Sequence, residues 1–231
     1  MTSKIKALIS DFDGVFVDTF HVIYGAYNYM CERMGFPVFK NMEDFKKFYS
    51  VDFEKNYDRF GLSGSRRKKA YDYVQTYVKL AYPSALFFEE AVKAVAKLEQ
   101  RLGIASTGHA DIIKNKIKDN ILEKKVNAIV GHESVKRVKP HPEPILLCAE
   151  RLGVPVENCV FMGDTRIDII AGKAANVAKT IGVSWGYDGA EELVKEKPDM
   201  ILFRDDEDVR EIANEHPYIS WIRLSDLGFM L

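Results

Sequence analysis

The run "LISDFDGVFVDTF" (Leu8–Phe20) sets two carboxylates, Asp11 and Asp13, two residues apart where an apolar stretch stops. Three further stretches carry polar groups in comparable settings: "IASTGH" with Ser106 and Thr107, "VKPHPEP" with Lys139, and "GDTRID" with Asp164 and Asp168. Carboxylates gathered in one crevice repel each other unless a cation joins them. Hard oxygen donors, few in number and leaving room for water and a phosphate, suit Mg²⁺. With the repulsion so reduced, one carboxylate can attack phosphorus as a nucleophile. Asp13 can then protonate the leaving oxygen and later take a proton from water. Lys139 and the Ser106 hydroxyl would hold the phosphoryl oxygens. Thr107 offers an alternative hydroxyl, or, with Gly108, a backbone N–H at a helix start.

That chemistry requires the four stretches to meet, and the order of elements brings them together. Residues 5–11 read as a buried strand, because Ala7, Leu8 and Ile9 follow one another without polar interruption. Similar runs lie at 102–107, 126–131, 158–164, 177–183 and 198–203. Helical patterns at 89–101, 110–120, 143–152, 167–175 and 189–196 alternate with them. The alternation predicts an α/β fold, a doubly wound parallel sheet. In such sheets ligands bind outside the carboxyl ends of the strands, where Asp11, Asp13, Ser106, Thr107 and Asp164 fall. Asp168 lies near the start of the next helix, and Pro140 biases Lys139 toward a connecting loop. From His21 to Tyr82 the pattern is helical throughout, with Gly35 as one stop, Gly61 as another and Ser65 as an N-cap. An all-helical insertion over 18–83, inside a core of 1–17 and 84–231, is therefore expected, with Pro83 and Ser84 marking the return.

"DFDGV", "IASTGH", "KPHPEP" and "GDTRID", in this order, resemble the four motifs of the haloacid dehalogenase-like superfamily. The likeness spans 1–17 and 84–203, and the helical insertion stands where one subgroup carries a cap. "DGVFVDT" is similar to the opening of phosphoglycolate phosphatase-like members. The resemblance implies a Rossmann-like core and a magnesium-dependent phosphatase working through a phosphoaspartate. Asp11 would be the nucleophile, Asp13 the acid and base, and Ser106 and Lys139 the phosphate binders. It further implies Mg²⁺ held by Asp11, the backbone carbonyl of Asp13 and Asp164, with Asp168 supporting the metal shell. A 2-haloacid dehalogenase of the same superfamily attacks carbon without a metal; Asp13 and the complete "GDTRID" argue against it. A phosphonate hydrolase, a sugar-phosphate mutase and a non-catalytic regulatory module on the same fold are the remaining alternatives. No motif position is lost, which speaks against the last.

Composition narrows the partners. A formal net charge of −1, from 33 basic and 34 acidic residues, leaves no electrostatic footprint for nucleic acid or an anionic membrane. No apolar run is long enough to span a bilayer, and "MTSKIKALIS" lacks a signal-peptide pattern. Cys31, Cys148 and Cys159 have no metal-like spacing and read as reduced packing thiols of a cytoplasmic protein. The expected partner is a small phosphorylated metabolite; oligomeric state leaves no mark in the sequence. Other residues have plainer readings. His109 and His141 match no required role, and Asp18 and His21 mark a helix start. "RRKK" (66–69) reads as solvated helix surface, Phe45, Phe48 and Tyr71 as core of the insertion. The apolar tail 217–231 is expected to pack on the main core.

Overall fold

The computed structural model describes residues 5–50 and 52–229. The first four residues of the stretch read for a leader, and the last two of the tail, lie outside them. The chain opens with β1 (Ala7–Ser10) and β2 (Val17–Asp18), then runs through helices α1 (Phe20–Met34), α2 (Met42–Phe48), α3 (Phe53–Arg59) and α4 (Gly64–Ala81). It returns through β3 (Leu86–Phe87), α5 (Glu89–Ala96), β4 (Arg101–Ala105), α6 (Ala110–Ile117), α7 (Ile121–Lys125) and β5 (Val126–Val130). There follow α8 (Glu143–Leu152), β6 (Cys159–Gly163), α9 (Arg166–Ala174) and β7 (Lys179–Val183). Last come α10 (Gly189–Leu193), β8 (Met200–Phe203), α11 (Arg210–Glu215) and β9 (Ser220–Arg223). Two compact units result, Met1–Val17 with Phe87–Leu231, and Asp18–Leu86.

The larger unit is a seven-stranded parallel sheet in the order β5-β4-β1-β6-β7-β8-β9. Every residue of β1 and β6 is buried, as the unbroken apolar runs require of central strands. From β1 the chain steps outward to β4 and β5, then crosses back to β6 on the other side of β1. Right-handed crossovers place the connections before and after this reversal on opposite faces of the sheet. On one face α8 and α9 bury Ile145, Cys148, Leu152 and Ala171 against Ile9, Ala105 and Phe161. The reversal opens a crevice between the carboxyl ends of β1 and β6.

Three elements differ from the sequence reading. The helix expected over 89–101 stops at Ala96, because Arg101 already pairs with Ala7 in the sheet. The tail does more than pack: Ser220–Arg223 extends the sheet as edge strand β9 beside β8. Ser65 is not the N-cap of α4, which begins at Gly64 after Ser63.

The smaller unit has a core of its own. Phe45 is fully buried, with ring centroids of Phe39, Tyr49 and Tyr27 at 5.1, 5.3 and 5.4 Å. Phe48 and Tyr71 pack against the same cluster, as expected of them. Within "RRKK", Arg67 departs from a solvated role: it donates to Glu54 and Asp58 of α3 and, through Nε, to the Leu62 carbonyl. The chain enters and leaves this unit through the paired strands β2 and β3.

Among the described residues, no helix is long and apolar enough to cross a membrane. The three cysteines are free and buried. Burial pushes the Cys31 and Cys159 thiols up to about 11 and Cys148 up to about 12. Since the thiolate is the reactive form, an aromatic disulfide reagent at pH 8 should label none of them in the native protein and all three in guanidinium. Rapid native labelling would contradict this packing.

Candidate active site

Asp11 leaves β1 at the reversal point. Its N–H donates to the Met162 carbonyl of β6 at 2.8 Å, so the strand pairing itself fixes where the carboxylate starts. Oδ1 accepts the Phe12 N–H at 2.8 Å, and Oδ2 lies 2.8 Å from Lys139 Nζ. The chain then turns sharply: Phe16 N–H donates to the Phe12 carbonyl and Gly14 N–H to that of Val17. Gly14 has φ +76°, and a Cβ there would fall 2.0 Å from Asp164 Oδ2. Glycine is thus required both by the turn and by the aspartate that crowds it. Asp13, half-buried, sits inside this turn.

Lys139 is buried between two carboxylates, 2.8 Å from Asp11 Oδ2 and 2.6 Å from Asp168 Oδ1. Burial alone pulls its ammonium down, but Asp11 and Asp168 outweigh it and hold the group above its ordinary value. Asp168 spends its other oxygen on the start of α9, accepting the Thr165 N–H at 3.1 Å and hydroxyl at 2.5 Å. It therefore caps the helix and partners the lysine at once. Asp164 differs. Its Oδ2 accepts the Tyr187 N–H at 2.8 Å, whereas Oδ1 is buried with no hydrogen-bond partner. Asp11, Asp164 and Asp168 each offer an oxygen within 4.8 Å of the others. Burial, partly opposed by Lys139, pushes Asp11 up to about 7. Burial, Asp168 and Asp11 together push Asp164 well above the usual carboxylate range.

After β4, Ser106 is buried and Thr107 exposed. The Ser106 N–H donates to the Val130 carbonyl at 3.0 Å, and its Oγ accepts the Gly108 N–H at 2.9 Å. A Cβ on Gly108 would lie 3.3 Å from both Asp13 Oδ2 and Ser106 Oγ, so those two side chains flank the same glycine. Asp11, Lys139, Asp164 and Asp168 thus form one cluster, with Asp13 and Ser106 both near Gly108. The histidines are engaged locally: His109 Nδ1 lies 3.3 Å from Glu133 Oε2, and His141 Nδ1 accepts the Glu143 N–H. His21 lies 3.9 Å from Asp18 at the start of α1.

Sequence reasoning missed Thr165, Gly186 and Tyr187. The available signal was positional: β7 neighbours β6, so the loop after it, "SWGYD", had to border the same crevice.

The donor set fits a hard divalent cation. Three buried carboxylates face one positive side chain, and one carboxylate oxygen, Asp164 Oδ1, is buried without a donor. An unpartnered buried oxygen is costly unless something positive reaches it. All-oxygen donors suit Mg²⁺ better than softer metals.

Fold and crevice together define a doubly wound α/β enzyme with an acidic centre and a helical insertion after its first strand. The family model described as haloacid dehalogenase-like hydrolase matches residues 8–183, and the chain belongs to that family. Among its relatives, pyrophosphatase PpaX of Bacillus velezensis is 28% identical, the match covering 87% of this chain and 94% of that one. The PpaX of Listeria monocytogenes serotype 4a is likewise 28% identical, covering 87% and 94%. A predicted phosphoglycolate phosphatase from Haemophilus somnus shares the fold with TM-score 0.77 at 15% identity, covering 100% of this chain and 99% of that one. A haloacid dehalogenase-like family hydrolase from Streptococcus pneumoniae gives 0.76 at 21% identity, covering 94% and 100%.

Proposed function

We propose that the protein is a magnesium-dependent phosphatase of a small phosphorylated metabolite, a phosphate monoester, working through an aspartyl-phosphate on Asp11. The observation that carries this reading is the unpartnered oxygen of Asp164 beside two further buried carboxylates. Asp11, the Asp13 carbonyl and Asp164, with Asp168 in support, would hold Mg²⁺, which would supply the positive charge that lets an anionic phosphoryl group approach the Asp11 carboxylate.

A carboxylate oxygen of Asp11 attacks phosphorus, and the bond from phosphorus to the leaving oxygen breaks. That oxygen takes the proton of the Asp13 carboxyl. Asp13, now a carboxylate, accepts a proton from water, whose oxygen attacks the same phosphorus. The bond to Asp11 breaks, inorganic phosphate leaves, and both aspartates return to their starting states. Lys139 spends two N–H donors on Asp11 and Asp168, leaving a third for a phosphoryl oxygen. Ser106 Oγ accepts from Gly108, and in this reading its O–H donates to a phosphoryl oxygen. Exposed Thr107 is the weaker binder of the two, contributing backbone N–H at the same turn. The free thiols accord with a reducing compartment, the cytoplasm.

Pyrophosphate is the second substrate to test, favoured by relatives named pyrophosphatases that match along 87% of the chain. Dehalogenation at carbon ranks behind both, because it leaves the Asp164 oxygen without a task. The deciding assay measures phosphate release from a panel of phosphorylated metabolites, pyrophosphate included, with Mg²⁺ or with EDTA. Undiminished release in EDTA, or chloride release from a haloacid, overturns the reading. A binding test runs beside it. Mg²⁺ at about 100 times its Kd should add about 2.7 kcal/mol of stability, or roughly 5–10 °C in Tm for a chain of this size. Asp164→Asn should abolish that shift in a thermal melt.

A further inference from the structure

We propose that the loop leaving β7, residues 184–188, positions Asp164: Gly186 and the Tyr187 amide fix one carboxylate oxygen so that the other is presented to the cation. The inference rests on the magnesium reading above and deepens it.

Asp164 is walled by glycines from two separate loops. A Cβ on Gly186 would lie 2.2 Å from Asp164 Cβ and 2.4 Å from its Oδ2. One on Gly14 would lie 2.0 Å from the same oxygen and 2.7 Å from Tyr187 Cδ2. No Cβ fits at such distances, so the approach of backbone on both sides is what leaves room for the carboxylate. Within that slot the Tyr187 N–H, 2.8 Å from Oδ2, selects one orientation and leaves Oδ1 unpartnered. Gly186 differs from Gly14 in one useful respect. It is not among the glycines of positive φ, so its backbone conformation does not oppose alanine, and the nearest atoms an added Cβ would displace are those of Asp164.

The loop is fastened to the segments that carry the other acids. Trp185 Nε1–H donates to the Val15 carbonyl at 3.2 Å, tying the loop to the turn that holds Asp13. Asp188 Oδ2 accepts the Arg166 N–H at 2.7 Å at the start of α9, and the Asp188 N–H reaches the Asp164 carbonyl at 3.3 Å. Ser184 N–H donates to the Leu202 carbonyl of β8 at 3.0 Å. A ligand held in advance by such supports loses little freedom when the ion arrives.

The test is calorimetric titration of Mg²⁺ alone into the wild type, Gly186→Ala and Trp185→Phe, with circular dichroism to establish folding. Supporting partners of metal ligands typically contribute about 10–100-fold in affinity, and a loss in that range is expected for Gly186→Ala. Trp185→Phe, which removes the indole N–H donated to the Val15 carbonyl, should weaken binding in the same direction by less. In turnover assays Gly186→Ala should need more Mg²⁺ for half-maximal rate while recovering kcat to within about twofold at saturation, a split that general loosening would not give. A folded Gly186→Ala with wild-type Mg²⁺ affinity overturns the proposal. Should that variant fail to fold, an unaltered isotherm for Trp185→Phe overturns it instead. A wild type that binds no Mg²⁺ removes the metal reading itself, and this inference with it.

Discussion

Asp11→Asn is expected to lower kcat for phosphate release by at least about a thousandfold while the protein stays folded. The amide has no lone pair fit to attack phosphorus, but its oxygen can still accept the Phe12 N–H, and Lys139 retains Asp168 as partner. Stability should separate the two proteins in the opposite direction. Burial raises the Asp11 carboxyl from 3.8 to about 7 in the folded chain. The native state therefore binds a proton that the unfolded state gives up, and metal-free wild type loses stability as pH rises from about 4 through 7. The asparagine variant has no such titration at this position. Urea melts of the metal-free proteins at pH 5 and pH 8 should show a larger loss for the wild type than for Asp11→Asn. Retained turnover in the variant would remove the nucleophile assignment.

Lys139→Ala should cost about 3–5 kcal/mol in the metal-free protein, the usual effect of removing one partner of a buried ion pair. The lysine is the only cation within hydrogen-bonding distance of Asp11 and Asp168 among the described residues, at 2.8 and 2.6 Å. Without it the two buried carboxylates face each other with no counter-charge in reach. The deficit against wild type should grow between pH 5 and pH 8, because loss of the ammonium raises the Asp11 carboxyl further above the 7 it already reaches. Equal stability of the two proteins at pH 8 would mean that the ion pair contributes nothing.

The central strands were readable because burial on both faces removes polar interruptions, as in Ala7–Ile9 and Cys159–Gly163. Strand β9 was not. Ser220–Arg223 lies at the sheet edge with exposed ends and half-buried middle residues, so no apolar run announces it. The site divides in the same way. Asp11, Asp13, Lys139, Asp164 and Asp168 carry their chemistry in side chains, at two strand ends, on one loop and in the first turn of α9, and their spacing makes them visible. Gly186 and Tyr187 act through a missing Cβ and a backbone N–H, which leave no chemical signature in the sequence. Asp168 shows why a plain reading and a functional one need not compete. It caps α9 through Thr165 and partners Lys139 with its other oxygen.

The ribbon of β2 and β3 makes the helical unit an exchangeable cassette. Its two ends leave side by side, and its aromatic interior, from Phe20 to Val78, is self-contained. A hairpin turn of a few residues would span the same two strand ends, since closing a loop costs free energy that rises only slowly with its length. The acids at the ends of β1 and β6 lie in the other compact unit, outside the span that the ribbon encloses.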